Sequence, residues 1–371
     1  MQKKNIMISK FISGLFRHID SILLACILFA MLIALLVLYS ASGQEFSRVS
    51  AQMVNMSVAL VAMWVVANIP PQQIERIAIP AYILGVLLLV AVALFGDISH
   101  GARRWLNIGI TKIQPSELLK LAVPIMLAWY FSKRESNLTA LDFLIAGIVL
   151  AVPVLLIMKQ PDLGTSMLVT ASGFYVIFLA GLSWRFMLGG IVLAGALSPV
   201  FWSLLHDYQR RRIEILIDPT QDPLGSGYHI IQSTIAIGSG GTTGKGWLNG
   251  TQTQLDFLPE RTTDFIFAVF GEEFGLIGNI LLLTLFAIII ARGFIIASQA
   301  KNTFSRLLAG SIAMTFFTYC FVNMGMVSGI LPVVGVPLPF ISYGGTSMLT
   351  LGLGFGLLMS IQTHKKLVAS G

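Results

Sequence analysis

Charge is scarce in this sequence. Only 11% of its 371 residues are Asp, Glu, Lys or Arg, against about 25% in an ordinary soluble domain. With 56% hydrophobic residues and a mean hydropathy of +0.82, a soluble protein is excluded and a polytopic membrane protein is implied. Cysteine is scarcer still. Cys26 and Cys320 both fall inside apolar runs, which leaves no disulfide framework and reads them as packing residues. The five histidines are scattered, with no HExxH or other ligand spacing, so no transition-metal motif is present. No internal repeat and no separate soluble domain can be delimited, and residues 1–371 read as a single all-α integral membrane domain.

What is present is a succession of apolar runs, each near the roughly 20 residues that a helix needs to cross a bilayer. They lie at about 19–39, 51–69, 77–95, 116–132, 141–158, 163–181, 184–205, 275–297, 305–330 and 341–362, which predicts ten transmembrane helices. The first run is longer than a signal-peptide core, although Ala41-Ser42-Gly43 resembles a weak cleavage pattern. A tail at 1–18, a loop at 206–263 and a tail at 363–371 complete the layout. Of the 24 lysines and arginines, 13 fall on the N-terminal tail, the even-numbered loops and the C-terminal tail, against two on the short loops opposite. Both termini are therefore expected in the cytoplasm.

Eight other basic residues belong to the outer side: Arg103, Arg104 and Lys112 after the third run, and Arg210, Arg211, Arg212, Lys245 and Arg261 in the long loop. Each alone reads as a solvated charge. Together they suit an anionic ligand, since arginine and lysine recognise phosphate. Lys120 differs, because it lies inside the fourth run three residues after Glu117, on the same helix face. The pair either neutralises itself or opens on a polar cavity holding another carboxylate. Pro115 suits the first turn of that helix, with Gln114 or Ser116 near the cap.

The densest charge is in Thr251–Gly275, which holds five of the seventeen acids: Asp256, Glu260, Asp264, Glu272 and Glu273. One reading is a solvated loop entering a helix with Thr263 or Asp264 as its N-cap. The other is a functional carboxylate, since an ionisable group at membrane depth is costly. Gly275 and Gly278 are expected to break the helix that follows, leaving 264–274 as a short half-helix with Asp264 at its N-terminus. Before it, RRRIEILID reads as a short surface helix and DPTQDPLGSG as turns. The glycines of Gly238–Gly246 do not make a phosphate loop, because Ser239 stands at the first glycine position and Gly246 follows Lys245. A hinge or a backbone cradle for a ligand remains. Gly329–Ser347 is rich in proline and glycine, and irregular backbone at that depth must be buried or line a cavity.

Six motifs together resemble the SEDS family (shape, elongation, division and sporulation). They are HGARRWLNIG (100–109), QPSELLKL (114–121), QPDLGTS (160–166), FLPERTTDFIF (257–267), GEEFGLIG (271–278) and PLPFISYGGTS (337–347). The resemblance covers essentially the whole chain and looks most like the elongation-phase members, with the division members as the next nearest. It departs at Thr262 or Thr263, where family members often carry a histidine.

The resemblance implies a ten-helix inner-membrane peptidoglycan glycosyltransferase that polymerises lipid II on the outer face during cell elongation. It further implies a class B penicillin-binding transpeptidase as partner, other elongation-complex membrane proteins, and no nucleic acid. Passing from an α-linked diphosphate donor to a β-linked glycan is an inversion that needs one base. Asp264 is the candidate general base on the acceptor 4-hydroxyl. Lys120 would orient it, with Glu117 balancing Lys120. Arg103, Arg104, Arg210, Arg211, Arg212 and Arg261 are candidates for the diphosphate, and a divalent cation could share that task. Asp256, Glu260, Asp162 and Ser342 are candidates for shaping the loop and cavity, Asp256 and Glu260 also for a cation site. A lipid II flippase and a noncatalytic scaffold for the transpeptidase are the competing classes.

Overall fold

The computed structural model describes residues 17–99, 102–107, 112–135, 138–160, 162–204, 207–222, 225–255, 257–258 and 260–364. Most of both terminal tails, and Asp256, lie outside them. Helices dominate: α1 (Ser21–Ala41), α2 (Phe46–Ala67), α3 (Pro71–Arg76), α4 (Ala78–Phe95), α5 (Pro115–Ser132), α6 (Ala140–Met158) and α7 (Leu163–Leu179). After them come α8 (Trp184–Ala196), α9 (Ser198–Leu204), α10 (Asp207–Ile217), α11 (Ser226–Ser239), α12 (Thr251–Gln254), α13 (Ile266–Ser298), α14 (Thr303–Val327) and α15 (Gly345–Thr363).

Seven of these, α1, α2, α4, α6, α13, α14 and α15, are long and apolar enough to cross a membrane, so the chain is a multi-pass membrane protein. The others expected to cross depart for separate reasons. The helix α5 carries Glu117 and Lys120, α7 has only 17 residues, and the run at 184–205 divides at Leu197 into α8 and α9. The all-α expectation also needs correcting, because β1 (Asp97–Ser99), β2 (Ala102–Asn107) and β3 (Lys112–Ile113) form a small antiparallel sheet in the order β1-β2-β3. Its register pairs Ile98 with Arg103 and Leu106 with Ile113.

Close helix packing in a bilayer relies on small residues, since there is little hydrophobic drive between helices. Gly352 and Gly356, four apart on α15, lay its backbone against α2, where an added Cβ would sit 2.5 Å from the Ala59 carbonyl and 2.6 Å from that of Met63. The core between α13, α14 and α15 is aromatic. Phe316 meets Phe286 and Phe355 edge-on, and Phe340 joins them from the irregular segment between α14 and α15. That segment is enclosed as its depth requires, with Val334, Val336, Leu338, Phe340 and Ile341 all buried.

The expected break at Gly275 is there and the one at Gly278 is not. Gly275 has φ 63° and ψ −160° within α13, a combination that is essentially restricted to glycine. A continuous helix would join Leu276 N–H to the Glu272 carbonyl and Ile277 N–H to that of Glu273. Both bonds are absent and the glycine-rich loop replaces them. Leu276 and Ile277 donate to the Gly241 and Thr242 carbonyls at 2.9 and 3.1 Å, while Lys245 and Gly246 donate to the Glu272 and Glu273 carbonyls, both at 3.0 Å. Gly238–Gly246 is therefore neither a free hinge nor a ligand cradle. It splices a broken helix, and the contacts that a Cβ on Gly240 or Gly244 would make with the carbonyls of Gly271 and Glu273 account for two of its glycines.

The splice makes a prediction that separates its glycines from the others. Gly275→Ala should lower stability by about 1–3 kcal/mol through backbone strain alone, more with the clash against Gly244. Gly238→Ala, in a helix with nothing within 4 Å of the added Cβ, should be neutral or stabilising by up to about 1 kcal/mol. Thermal unfolding of the two variants in detergent checks the difference.

Candidate active site

Asp264 lies two residues before α13, whose N-cap is Phe265 with no side-chain capping bond. It therefore does not cap the half-helix, and neither does Thr263. What holds it is a tight turn. Glu260 adopts φ 49°, and its carbonyl accepts from the N–H groups of Thr263 (3.1 Å) and Phe265 (3.2 Å).

The segment between α14 and α15 pins this turn from the other side. Ser342 Oγ donates to the Thr263 carbonyl at 2.7 Å, the Tyr343 N–H to that of Thr262 at 2.9 Å, and Asn323 Nδ2 to that of Asp264 at 2.9 Å. Asn323 Nδ2 also reaches the Val336 carbonyl at 2.7 Å, and Gln52 from α2 donates to the Ser342 carbonyl at 3.1 Å. Gly335, at φ 73°, lies against the Asp264 carboxylate, where a side chain would intrude. Ser342 is thus a positioning residue that also receives the Leu338 N–H. Gln52 and Asn323 went unnoticed in the sequence, although each is a polar side chain inside an apolar run.

Burial pushes the Asp264 carboxyl up to about 6, the Glu260 charge adds to the rise, and Arg212 opposes it. His229 of α11 stacks on Phe265, 5.5 Å between ring centres, and burial lowers its pKa. His229, packed on the residue that follows Asp264, is a third residue that sequence reasoning missed.

Lys120 lies elsewhere in the charge pattern. It bonds Glu117 at 2.6 Å and sits 5.1 Å from the centre of the Tyr319 ring, 3% exposed. Lys120 balances Glu117 beside Tyr319. A mostly apolar cavity of about 30 Å³, lined by Lys120, Leu121, Pro124, Phe316, Tyr319 and Phe355 among others, adjoins the pair. That is room for about one water.

Asp162 caps α7 through the Thr165 N–H and accepts from Gln114 Nε2 at 3.0 Å, with Arg104 Nε 4.0 Å away. Two residues on, Gly164 packs against Val334 and Val336, so Asp162 and Asp264 share the neighbourhood of one irregular segment.

The remaining basic candidates are largely committed to the fold. Arg210 donates to the Trp202 and Ser203 carbonyls, Arg211 lies 3.5 Å from Asp222, and Arg261 Nη1 donates to the Thr253 carbonyl at 2.6 Å. Arg210 and Arg211 line a cavity of about 380 Å³ with Glu214, Gln221 and Asp222, a site of mixed rather than uniform charge. Arg103 belongs to β2. Among the described residues no three histidine, cysteine or acidic side chains gather as a metal cage. Among the described residues, Glu260 and Asp264 alone do not make a dedicated cation site.

A family model described as a cell cycle protein, FTSW_RODA_SPOVE, matches residues 20–367. The peptidoglycan glycosyltransferase MrdB of Escherichia coli K12 is 51% identical over 353 residues, 95% of each chain. A solved chain from a peptidoglycan synthase complex that coordinates polymerization and crosslinking superposes with TM-score 0.82 at 32% identity, over 94% of this chain and 98% of that one. The crystal structure of the rod shape determining protein RodA of Thermus thermophilus gives TM-score 0.70 at 26% identity, over 92% and 96%.

If Lys120 serves Glu117 rather than Asp264, its loss is first a matter of stability. Lys120→Met strands a buried carboxylate and should cost about 3–5 kcal/mol, whereas Lys120→Met with Glu117→Gln should recover most of it. Thermal unfolding of the single and double variants checks this.

Proposed function

This chain belongs to the FTSW_RODA_SPOVE family and is a peptidoglycan glycosyltransferase, and we propose that it polymerises lipid II with Asp264 as general base. The observation that carries the assignment is the seat of Asp264. Its backbone is held by Asn323, Ser342 and the Glu260 turn, while its half-buried carboxyl is pushed up to about 6. A base that is mostly ionised at neutral pH, yet basic enough to accept a proton in the transition state, matches what general-base catalysis needs. Asp264 takes the proton of the acceptor 4-hydroxyl as that oxygen attacks the donor anomeric carbon, and the diphosphate departs with inversion.

Arg212, the cation acting on Asp264, is the best placed of the arginines for the leaving diphosphate, with Arg104 beside Asp162 on the same side. Arg103 stays a candidate from its position in β2. The single integral membrane domain crosses ten times, with α5, α7 and the α8–α9 pair joining the seven long apolar helices. Both termini lie in the cytoplasm and the Asp264 site faces the periplasm across the inner membrane. The partner is a class B penicillin-binding transpeptidase, within the elongation machinery.

The test uses the full chain with its transpeptidase, lipid II in detergent and glycan chains resolved on a gel, with the transpeptidase site blocked. Asp264→Asn should lower polymerisation by about 10²–10⁴-fold while the complex still assembles. No polymer from wild type, with intact complex, turns the reading toward a flippase, and equal polymer from both moves the base elsewhere. The pH dependence adds a second check. The carboxylate is protonated and inactive below its pKa, so kcat/KM should rise with pH through about 6 and then level. Glu260→Gln removes a charge that raises that pKa, so the limb should move to lower pH.

A further inference from the structure

The most heavily bonded carboxylate in the described chain lies outside the Asp264 turn. Glu272 sits on the last turn of the half-helix before the Gly275 break, with 0% exposure. Lys245 Nζ reaches its Oε1 at 2.8 Å, Thr251 Oγ1 at 3.2 Å and the Gln252 N–H at 2.9 Å. The Thr253 N–H and Oγ1 donate to its Oε2 at 3.2 and 3.1 Å. Five donors on one buried carboxylate exceed what neutralising Lys245 requires, and four of them come from α12.

The short helix α12 in turn holds the site. Its Thr253 carbonyl accepts from Arg261 Nη1 at 2.6 Å. Arg261 lies inside the turn that Glu260 closes on Thr263 and Phe265. That bond is short and carries a charge on its donor, and charge-assisted bonds are the strong ones. Asp264 is thus held from two sides: by Asn323 of α14 and Ser342 of the segment beyond it, and by Arg261 through α12 from Glu272.

We propose that Glu272 is a positioning residue for Asp264, acting through Thr253 and Arg261 to set the Glu260–Phe265 turn, an inference that rests on Asp264 serving as the base in polymerisation. The same residue joins the catalytic turn to the helix splice, because the Glu272 main-chain carbonyl accepts from Lys245 N–H while its side chain binds Lys245 Nζ. Substitution at Glu272 therefore acts on the chemical step and leaves the diphosphate contacts in place.

The experiment is steady-state polymerisation of lipid II by the full chain with its transpeptidase, for wild type, Glu272→Gln, Arg261→Lys and the double variant, beside hydrogen exchange of the same proteins. Glu272→Gln should lower kcat by about tenfold to a hundredfold, the scale of a small misplacement of the reacting groups, with KM within about twofold. Acting through Arg261, its effect should be less than additive with Arg261→Lys. Amides at 251–265 should exchange faster while those of 279–298 are unchanged.

A retained kcat overturns the proposal, and so does a fall that multiplies fully with that of Arg261→Lys. If wild type makes no polymer, the glycosyltransferase assignment of Asp264 fails with the catalytic part of the proposal, while the exchange pattern still decides whether Glu272 holds the turn. Where Glu272→Gln does not assemble, Thr253→Val removes one donor to the same carboxylate and keeps the carbonyl that binds Arg261. A smaller kcat loss at constant KM supports the proposal, and unchanged kcat with unchanged exchange overturns it.

Discussion

Two backbone hydrogen bonds that a helix ought to make are missing between Glu272 and Ile277, and the structure around Asp264 is arranged around replacing them. In a bilayer an unpaired N–H or carbonyl costs several kcal/mol, so a break at that depth demands partners. The loop 241–246 provides four, from Gly241, Thr242, Lys245 and Gly246, in the right order and polarity, while Gly240 and Gly244 let one backbone touch the other. Once the loop is committed there, α11 before it and α12 after it are placed as well. The helix break is therefore the constraint from which the position of the Asp264 turn follows.

Two charged groups in the protein have opposite designs. Glu117 and Lys120 are mutually compensated and enclosed among α5, α14 and α15, with Tyr319 against the ammonium. Such a pair adds little net stability compared with an apolar substitute, yet is costly to halve. Asp264 is instead under-compensated. Glu260 and burial work against its charge and Arg212 works for it, which leaves a carboxyl with affinity for a proton near neutral pH. Compensation makes one group inert, and its shortfall makes the other useful.

Much of the frame was legible before any coordinates. Pro115 opens α5, Gly275 breaks α13, residues 207–217 form a helix, and the stretch from Gly329 is irregular and enclosed. Each of these depends on backbone preference or burial within a few residues, which is what residue type encodes. The failures share a different cause. Asp264 was expected at a helix N-terminus, but its turn is set by Ser342 and Asn323, which arrive from far along the chain. Helix α11 was taken for loop because its turn-rich flanks hide it, and its packing on α13 is what makes it worthwhile.

The sequence by itself determined that the chain lives in a membrane, roughly where it crosses, that Glu117 faces Lys120 one turn away, and that the helix after Asp264 is interrupted. These are properties of composition and of spacing along one helix, and they hold whatever the neighbours are. Only the tertiary structure decided which loop repairs the interruption, which residues hold the Asp264 turn and which charges tune its carboxyl. An unsatisfied carbonyl accepts any N–H and a carboxylate responds to any nearby charge, so the identity of the partner is set by packing and not by the residue that needs one.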